Sequence, residues 1–284
     1  MRRDASAALI FLGPSLVGFA VFYLIPFVVG IGYSAQSAPI DGAFVGFANY
    51  QELFASSSFR KAAVNTFLFT AVSVPLMVAA SLFLAMLLNR SVYLRNWLRT
   101  AYVMPLVVPV ASIILIWQAL FDWNGTLNAV LHGFGIHRVD WMKSEWARNV
   151  VILVYMWKNI GYNMILFLAG LQNIPNDYYE TAEVEGAGPI RKLTNITLVY
   201  LLPTTFFVVL MSIVNSFKVF RETYLIAGDY PHDSLYMLQH YMNNMFLSLD
   251  IQKLTAAATV MAAAILLLVT ILLAMERRFR SFMD

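Results

Sequence analysis

Polar side chains recur at helical spacing inside two otherwise apolar stretches of the chain, 148–172 and 197–220. Polar groups are costly inside a membrane and are therefore candidates for a functional site. Asn159 and Tyr162 are three residues apart, so both can face one cavity. Amides and phenol rings offer a polar solute hydrogen bonds and a stacking surface, although the same groups could instead join neighbouring helices. The polar side chains considered are Tyr155, Lys158, Asn159, Tyr162, Asn163, Ser212, Asn215, Ser216 and Lys218.

The sequence lacks the signatures of the common enzymatic sites. It contains no cysteine, which excludes disulfides, thiolate metal sites and cysteine nucleophiles. It has neither a G-x-x-x-x-G-K-[ST] phosphate loop nor an H-E-x-x-H zinc motif. No serine and histidine lie together at membrane depth, so an intramembrane hydrolase would lack its nucleophile and base. The histidines lack metal-ligand spacing and are expected to be structural or solvated in external loops; they are His132, His137, His232 and His240. We therefore expect neither catalysis nor a metal site.

Membrane-spanning helices must position the polar side chains. The chain is 60% apolar and 12% charged, with a mean hydropathy of +0.68, whereas soluble domains carry about a quarter charged residues. Its basic residues flank apolar blocks and form no basic stripe with interleaved aromatics, which argues against nucleic-acid binding. The sequence predicts an all-α polytopic membrane protein, one domain over 1–284, because no repeat or hydrophilic linker divides it. The predicted spans, each near the ~20 residues that a bilayer requires, are 7–34, 62–89, 98–121, 148–172, 197–220 and 254–275.

The basic residues predict how these spans are oriented. The first apolar stretch continues to about Tyr33 and is too long for a secretion signal, so we expect a retained span. With six spans, both termini lie on the same side of the membrane. The side with more basic residues in short segments is expected to be cytoplasmic, which places both termini and the loop 173–196 inside the cell. Its basic residues are Arg2, Arg3, Arg90, Arg95, Arg99, Arg191, Lys192, Arg277, Arg278 and Arg280.

The loop after the fourth span has an unusual composition for a cytoplasmic segment. Pro175 is expected to end the span, and Asn176 or Asp177 to cap a new short helix. Gly186 and Pro189 are expected to break that helix before a second helical start. Several acidic residues oppose the usual basic bias, and the small side chains would let a partner's backbone approach closely. The alternative is an ordinary capped turn at the membrane interface.

This loop resembles the conserved cytoplasmic loop of ABC-importer permeases, whose pattern runs E-A-A, three residues, G, nine residues and I-x-L-P. Glu180 and Ala182 match it, with Thr181 in place of the central alanine. Glu185-Gly186-Ala187 stands for the usual D-G-A, and Ile196-Thr197-Leu198 matches the later part, although Val199 replaces the proline. Similarity extends over nearly the whole chain to the first permease of maltose-type and glycerol-phosphate-type sugar importers. The matching segments include Gly13-Pro14, Phe44–Tyr50, Asn65-Thr66, Met104-Pro105, Gly125–Asn128 and Leu171–Pro175.

The resemblance implies a permease subunit of an ATP-driven carbohydrate importer in the bacterial cytoplasmic membrane. It implies a second homologous permease, two ATPase subunits and an extracytoplasmic solute-binding protein as partners. ATP and Mg²⁺ would be used by the ATPases, and this chain would bind no cofactor. The loop 176–192 would couple the permease to an ATPase subunit. By this resemblance, the coupling residues are Glu180, Thr181, Ala182, Glu185, Gly186 and Ala187.

The same resemblance places the solute pathway between the two permeases. The maltose-type positions that line the substrate correspond here to Tyr155, Lys158, Asn159, Tyr162, Ser212, Asn215, Ser216 and Val219. The lysines require separate accounts. Lys218 can pair with Glu222 four residues later or extend its ammonium to the interface. Lys158 has no partner within its own helix. Either the second permease supplies an acid, or Lys158 faces a wet cavity and attracts an anionic solute.

A self-sufficient secondary transporter is the alternative function. Such transporters are expected to have more spans and usually an internal repeat, and this sequence shows neither.

Overall fold

The computed structural model describes residues 2–90 and 93–280, and within them the side chains of 11–90 and 93–279. Apart from one isolated pairing of Gln36 with Phe44, the described residues form helices and turns and no strand. The all-α prediction is therefore confirmed. The α-helices are α1 (Arg2–Phe19), α2 (Ile25–Ser34), α3 (Ala48–Ala55), α4 (Ser57–Asn89), α5 (Arg95–Val107), α6 (Val110–Phe121), α7 (Thr126–Gly133), α8 (Ala147–Gln172), α9 (Asn176–Val184), α10 (Pro189–Lys192), α11 (Leu198–Tyr200), α12 (Leu202–Phe217), α13 (Phe220–Ala227), α14 (Leu238–Leu247) and α15 (Ile251–Arg280).

Six segments among the described residues are long and apolar enough to cross a membrane, if one bent pair of helices is a single span. This confirms the prediction of a polytopic protein. The fourth span agrees most closely, because it was predicted over 148–172 and α8 covers Ala147–Gln172. The five continuous spans are Phe11–Ser34, Ser57–Asn89, Ala147–Gln172, Leu202–Ala227 and Ile251–Phe279. The side chains of Arg2, Arg3 and Arg280, used to predict orientation, lie outside the described ones.

The third span differs from its prediction as one helix over 98–121. Its two parts, Arg95–Val107 and Val110–Gly133, meet at an angle of 100°. Val108 and Pro109 between them have extended backbone, with ψ of 135° and 132°. Proline removes a helical hydrogen bond and disfavours helical geometry in the residue before it. A continuous span over 98–121 would have required packed neighbouring helices to satisfy the backbone groups that Pro109 frees.

The fifth span also differs from its prediction over 197–220. It runs over Leu202–Ala227 and is interrupted at Lys218–Val219, between α12 and α13. A π-helical segment, Leu193–Thr197, precedes it. The span begins later than predicted, because Thr197 ends the π-helical segment and Leu198–Tyr200 form the short helix α11 before it. Because of this interruption, the side chains of α13, including Glu222, do not continue the helical register of α12.

The chain's own contacts define two compact units. One holds the residues up to Arg60 together with Tyr241–Ala264, and the other holds Lys61–His240 together with residues from Ile265 onward. In the first unit, the Tyr50 and Ser34 hydroxyls are 2.6 Å apart, and Asn49 donates to the carbonyl of Ser34 at 2.9 Å. These bonds fix α3 beside the end of α2. The expectation of one domain over 1–284 stays a prediction.

Close packing of α5 against α8 is the main helix contact of the second unit. At Gly161 of α8, an added Cβ atom would lie 1.9 Å from the carbonyl oxygen of Tyr102 in α5. No side chain fits that space, so glycine is what permits the backbones to touch. The buried side chains of α8, among them Met164 and Phe167, pack beneath this contact. Helix α8 is therefore held rigidly where it carries the polar residues singled out above.

Candidate functional site: the loop after the fourth span and the polar face of α8

The acidic loop folds, as predicted, into a short helix, a bend and a second helical start. Helix α9 covers Asn176–Val184, and α10 begins at Pro189. The predicted cap is wrong in its detail. Pro175 occupies the N-cap position with extended backbone, and no side chain caps the helix. Asn176 and Asp177 are instead the first residues of α9, where Asp177 is favourable because helix N-termini are electropositive.

Gly186 ends α9 with a Schellman motif. Its φ angle is +75°, a left-handed conformation that residues with a Cβ atom rarely adopt. The Gly186 amide donates to the carbonyl of Glu183 at 3.0 Å, and the Ala187 amide donates to the carbonyl of Ala182 at 2.8 Å. These two bonds satisfy carbonyls that the end of a helix otherwise leaves unpaired. The bend is therefore built by the glycine at the position where the permease pattern has one.

Two side-chain contacts brace the bend from both sides. Lys192 donates to Glu183 at 2.5 Å across the turn, and this hydrogen bond, aided by the charge of Lys192, holds the pKa of the Glu183 carboxyl below its usual value. The hydroxyls of Tyr179 and Thr197 are 2.9 Å apart and join α9 to the π-helical segment. Sequence reasoning did not identify these pairs, because neither spacing is one that a single helix would bring together.

The loop presents an accessible surface of mixed character. Four of the six predicted coupling residues, Thr181, Ala182, Glu185 and Ala187, help to line a depression of about 410 Å³. Glu180 and Gly186 lie outside that lining and are exposed. Apolar side chains stand beside it, with Val184 90% exposed and Ile190 77% exposed. An exposed apolar surface with a charged border is typical of a protein interaction site.

The predicted pathway residues separate into two groups. One group is buried within this chain, and the other is partly or fully exposed. Burial and hydrogen bonding within one chain favour a helix contact, whereas exposure leaves a side chain available to a solute. The buried group is Tyr155, Asn163, Ser212, Ser216 and Val219. In the other group, Lys158, Asn159, Tyr162 and Asn215 are partly exposed and Lys218 is exposed.

Four of the five buried residues, all except Val219, form hydrogen bonds between helices. Tyr155 of α8 donates to the carbonyl of Ser212 in α12 at 2.8 Å, and the Asn163 amide donates to the Ser212 hydroxyl at 2.9 Å. The Ser216 hydroxyl lies 2.9 Å from the Thr70 hydroxyl of α4. Three helices are thereby joined through polar side chains, the helix-contact role that the sequence left open for these residues.

Lys158 forms an ion pair with Glu222 of α13. The exposed fractions of the two side chains are 17% and 8%, so the pair is largely buried. This corrects two expectations. The acid beside Lys158 comes from this chain and not from a second permease, and Glu222 is paired with Lys158 and not with Lys218. Lys218 lies at the break after α12, where the i,i+4 geometry of a continuous helix is lost, and its side chain is exposed.

Asn159, Tyr162 and Asn215 keep polar groups available. The Asn159 amide nitrogen donates to the carbonyl of Tyr155 at 2.8 Å, which orients the side chain and leaves its oxygen with no acceptor bond from the described residues. Tyr162 and Asn215 are partly exposed and make no side-chain hydrogen bond within the described part of the chain. These three side chains can therefore offer hydrogen bonds and an aromatic surface outside the bundle of this chain.

The histidines do not gather into a site among the described residues. No group of three or more His, Asp or Glu side chains there could hold a metal ion. His240 is fully buried and packs edge-on against Phe220 with ring centres 4.9 Å apart. Burial lowers the pKa of His240 to about 4, so the ring is neutral at ordinary pH. It is a structural histidine.

Comparison with known proteins places these features in a family. Residues 77–283 match the family model described as "Binding-protein-dependent transport system inner membrane component". The chain is 30% identical to the probable ABC transporter permease protein YesP of Bacillus subtilis, over 86% of this chain and 82% of that one. It is 32% identical to the arabinooligosaccharides transport system permease protein AraP of Bacillus subtilis, over 78% and 72%. It is 30% identical to the sulfoquinovosyl glycerol transport system permease protein SmoG of Agrobacterium fabrum, over 92% and 87%.

A solved structure has the same fold. It is a chain of a bacterial ABC transporter involved in the import of the acidic polysaccharide alginate, with a TM-score of 0.83 and 24% identity, and the match covers 98% of this chain and 96% of that chain. A second structure of the bacterial alginate transporter, in complex with an alginate pentasaccharide-bound periplasmic protein, also has a TM-score of 0.83. The matched region contains both the acidic loop and the polar face of α8.

Proposed function

Because this chain belongs to the family of binding-protein-dependent transport system inner membrane components and is the permease subunit of such an importer, we propose that its solute is a carbohydrate and that ATP hydrolysis by partner subunits drives import. The observation that carries the carbohydrate assignment is the partly exposed set Asn159, Tyr162 and Asn215. Amides that can donate and accept, beside an aromatic ring, suit the hydroxyl groups and apolar faces of a sugar. The relatives AraP and SmoG, permeases of arabinooligosaccharides and sulfoquinovosyl glycerol transport systems, support the same solute class.

Lys158 no longer indicates an anionic solute, which the sequence had offered as one explanation of an unpaired lysine in the membrane. Glu222 supplies a counter-charge within the chain, so Lys158 needs no anionic solute to be tolerated in the membrane. Two similar proteins belong to transport systems for acidic solutes. One imports the acidic polysaccharide alginate, and the other transports sn-glycerol-3-phosphate. Lys158 therefore gives no reason to prefer an anionic carbohydrate over a neutral one.

The loop 176–192 is the proposed contact with an ATPase subunit. Its accessible depression, its exposed Val184 and Ile190, and its exposed acidic residues offer a mixed surface to a protein partner. The Glu183–Lys192 pair and the Tyr179–Thr197 contact make the loop stiff. A stiff segment can transmit a displacement of the ATPase to α8 and to the fifth span, which flank it.

The remaining subunits and the orientation complete the proposal. A second homologous permease forms the other half of the pathway, two ATPase subunits use ATP and Mg²⁺, and an extracytoplasmic binding protein delivers the solute. This permease performs no catalysis and binds no cofactor of its own. It lies in the bacterial inner membrane with both termini in the cytoplasm, an orientation supported by the concentration of basic residues in the short loops on that side.

Reconstitution of the complete importer tests the proposal. In proteoliposomes, the binding protein loaded with its carbohydrate should stimulate ATP hydrolysis and drive accumulation of the sugar. Neither should occur when the binding protein or ATP is omitted. Accumulation driven by an ion gradient without ATP would support the secondary transporter instead. Stimulation by loaded binding proteins for amino acids or peptides, but not sugars, would overturn the carbohydrate assignment.

The two groups of polar residues on α8 predict different mutant behaviour. Asn159→Leu should lower carbohydrate uptake about five- to tenfold, the effect of losing one or two hydrogen bonds to the solute, while the complex keeps its thermal stability. Asn163→Leu is the matched change one helical turn away. It should lower stability, because the Ser212 hydroxyl loses its buried partner. Uptake by reconstituted complexes and thermal midpoints in detergent measure the two effects. A loss of stability in Asn159→Leu that parallels its loss of uptake would contradict the pathway role.

A further inference from the structure

Two arginines converge at one end of the α5–α8 pair, with no counter-charge among the described side chains. Arg95 and Arg99 of α5 point to Gln172, the last residue of α8. With the Gln172 amide oxygen turned toward them, it accepts from Arg95 Nη2 at 2.8 Å and from Arg99 Nη2 at 3.1 Å. Both Nε atoms are buried and have no hydrogen-bond partner. No carboxylate among the described residues lies within ion-pair distance of either guanidinium.

This arrangement is unfavourable for the isolated chain. Two like charges share one neutral acceptor, and an amide oxygen compensates them less well than an anion would. Arg95 is also the first residue of α5, and the first turn of that helix contains no acidic side chain. Cations are disfavoured at helix N-termini, where the backbone amides already create positive potential. A bound anion would relieve both the mutual repulsion and the unfavourable end of the helix.

The surroundings of the arginines indicate where that anion comes from. Gln172 ends one membrane span and Arg95 begins another, so the three side chains lie at the level of a membrane interface. Tyr93 is fully exposed and Trp97 is 67% exposed beside them. Tyrosine and tryptophan concentrate at the headgroup level of a bilayer. Basic pockets between membrane helices bind the headgroups of anionic lipids.

We propose that Arg95, Arg99 and Gln172 form a binding site for the phosphate of an anionic phospholipid. The phosphate oxygens accept from the guanidinium nitrogens that face the surface, and the acyl chains lie along the exposed apolar side chains of α5. The lipid supplies the missing negative charge at the contact of α5 with α8. Because Gln172 immediately precedes the turn into α9, the lipid also stabilises the end of the span from which the acidic loop begins.

Lipid titration of the purified importer tests the site. In detergent, the wild-type complex should bind phosphatidylglycerol at least tenfold more tightly than phosphatidylcholine, as measured by native mass spectrometry. Arg95→Gln/Arg99→Gln should weaken phosphatidylglycerol binding about 25-fold, or roughly fivefold for each arginine. Arg277→Gln is the matched control. Arg277 is exposed near the end of α15 and forms no ion pair with a described residue, so its replacement should leave binding unchanged.

Three results would overturn the proposal. One is equal binding of the two lipids by the wild type, which needs no variant and so does not depend on how a mutant folds. Another is displacement of the lipid by excess inorganic phosphate alone, which would indicate a site for a free anion. The last is unchanged lipid binding in Arg95→Gln/Arg99→Gln together with loss of the ATPase subunits, which would assign the arginines to an acidic protein surface.

Discussion

A Gly186→Val permease should assemble with its partners but lose nearly all of its solute-stimulated ATP hydrolysis. The φ angle of +75° at this position costs a residue with a Cβ atom roughly 1–2 kcal/mol, and a β-branched side chain is the least tolerant of it. The strain can be relieved only by giving up the Schellman bonds from Gly186 and Ala187. The loop from Ala187 onward would then leave α9 in a different direction. Hydrolysis measured with loaded binding protein in proteoliposomes reports the loss.

Gly188→Val is the matched control for this experiment. Gly188 lies two residues further along the same loop, and a Cβ atom there would also meet open space. Its φ of −70° and ψ of 168° are extended backbone that valine adopts readily. It also precedes Pro189, which favours this conformation. Gly188→Val should therefore retain most of the hydrolysis. Equal loss in both variants would show that added bulk, and not the backbone of Gly186, disturbs the ATPase contact.

Lys158→Met should destabilise the permease strongly. It leaves the Glu222 carboxylate, only 8% exposed, without its counter-charge in the membrane. Removing one partner of a buried ion pair costs about 3–5 kcal/mol. The thermal midpoint of the complex in detergent should fall, and less complex should be recovered from membranes. Lys158→Met/Glu222→Gln removes both charges and should restore much of the lost stability.

Lys218, an exposed lysine close in sequence to Glu222, provides the control for Lys158→Met. Lys218→Met removes a lysine four residues before Glu222 that makes no ion pair with a described residue, and its thermal midpoint should stay near that of the wild type. The result that would contradict the structural role of the pair is a Lys158→Met complex of normal stability. If that complex also lost uptake of anionic carbohydrates alone, the lysine would be a solute contact.

The sequence predicts well what depends on neighbours along the chain. The bounds of α8, the break at Gly186 and the second helical start at Pro189 all follow from local hydropathy, glycine and proline. The bend at Val108–Pro109 is also local, but proline in a membrane helix is tolerated often enough that its effect there was misjudged. The outcome depends on whether neighbouring helices satisfy the freed backbone groups, which the sequence does not specify.

Long-range pairing was the part that the sequence could not supply. Lys158 and Glu222 come together because the fifth span breaks after Phe217 and α13, which follows the break, carries Glu222 to Lys158 of α8. The i,i+4 spacing of a continuous helix predicted Lys218 as the partner of Glu222. That spacing no longer brings the two side chains together once the helix is interrupted. The division of the pathway residues into buried and exposed groups has the same origin. Periodicity places Asn159 and Tyr162 on one face of α8, but whether a side chain of α8 is buried depends on where α12 crosses the helix.

The π-helical segment Leu193–Thr197 has a consequence for how this loop can vary in length. A π-helical turn accommodates one more residue than the α-helical turn it replaces, so it is the natural product of a single-residue insertion. Removing one residue would return the segment to α-helix and rotate everything before it by about 100° relative to the fifth span. The acidic surface of α9 would then point in a different direction relative to the fifth span. In related permeases, a change of one codon between the loop and the fifth span should therefore be rarer than changes of the same size in the external loops.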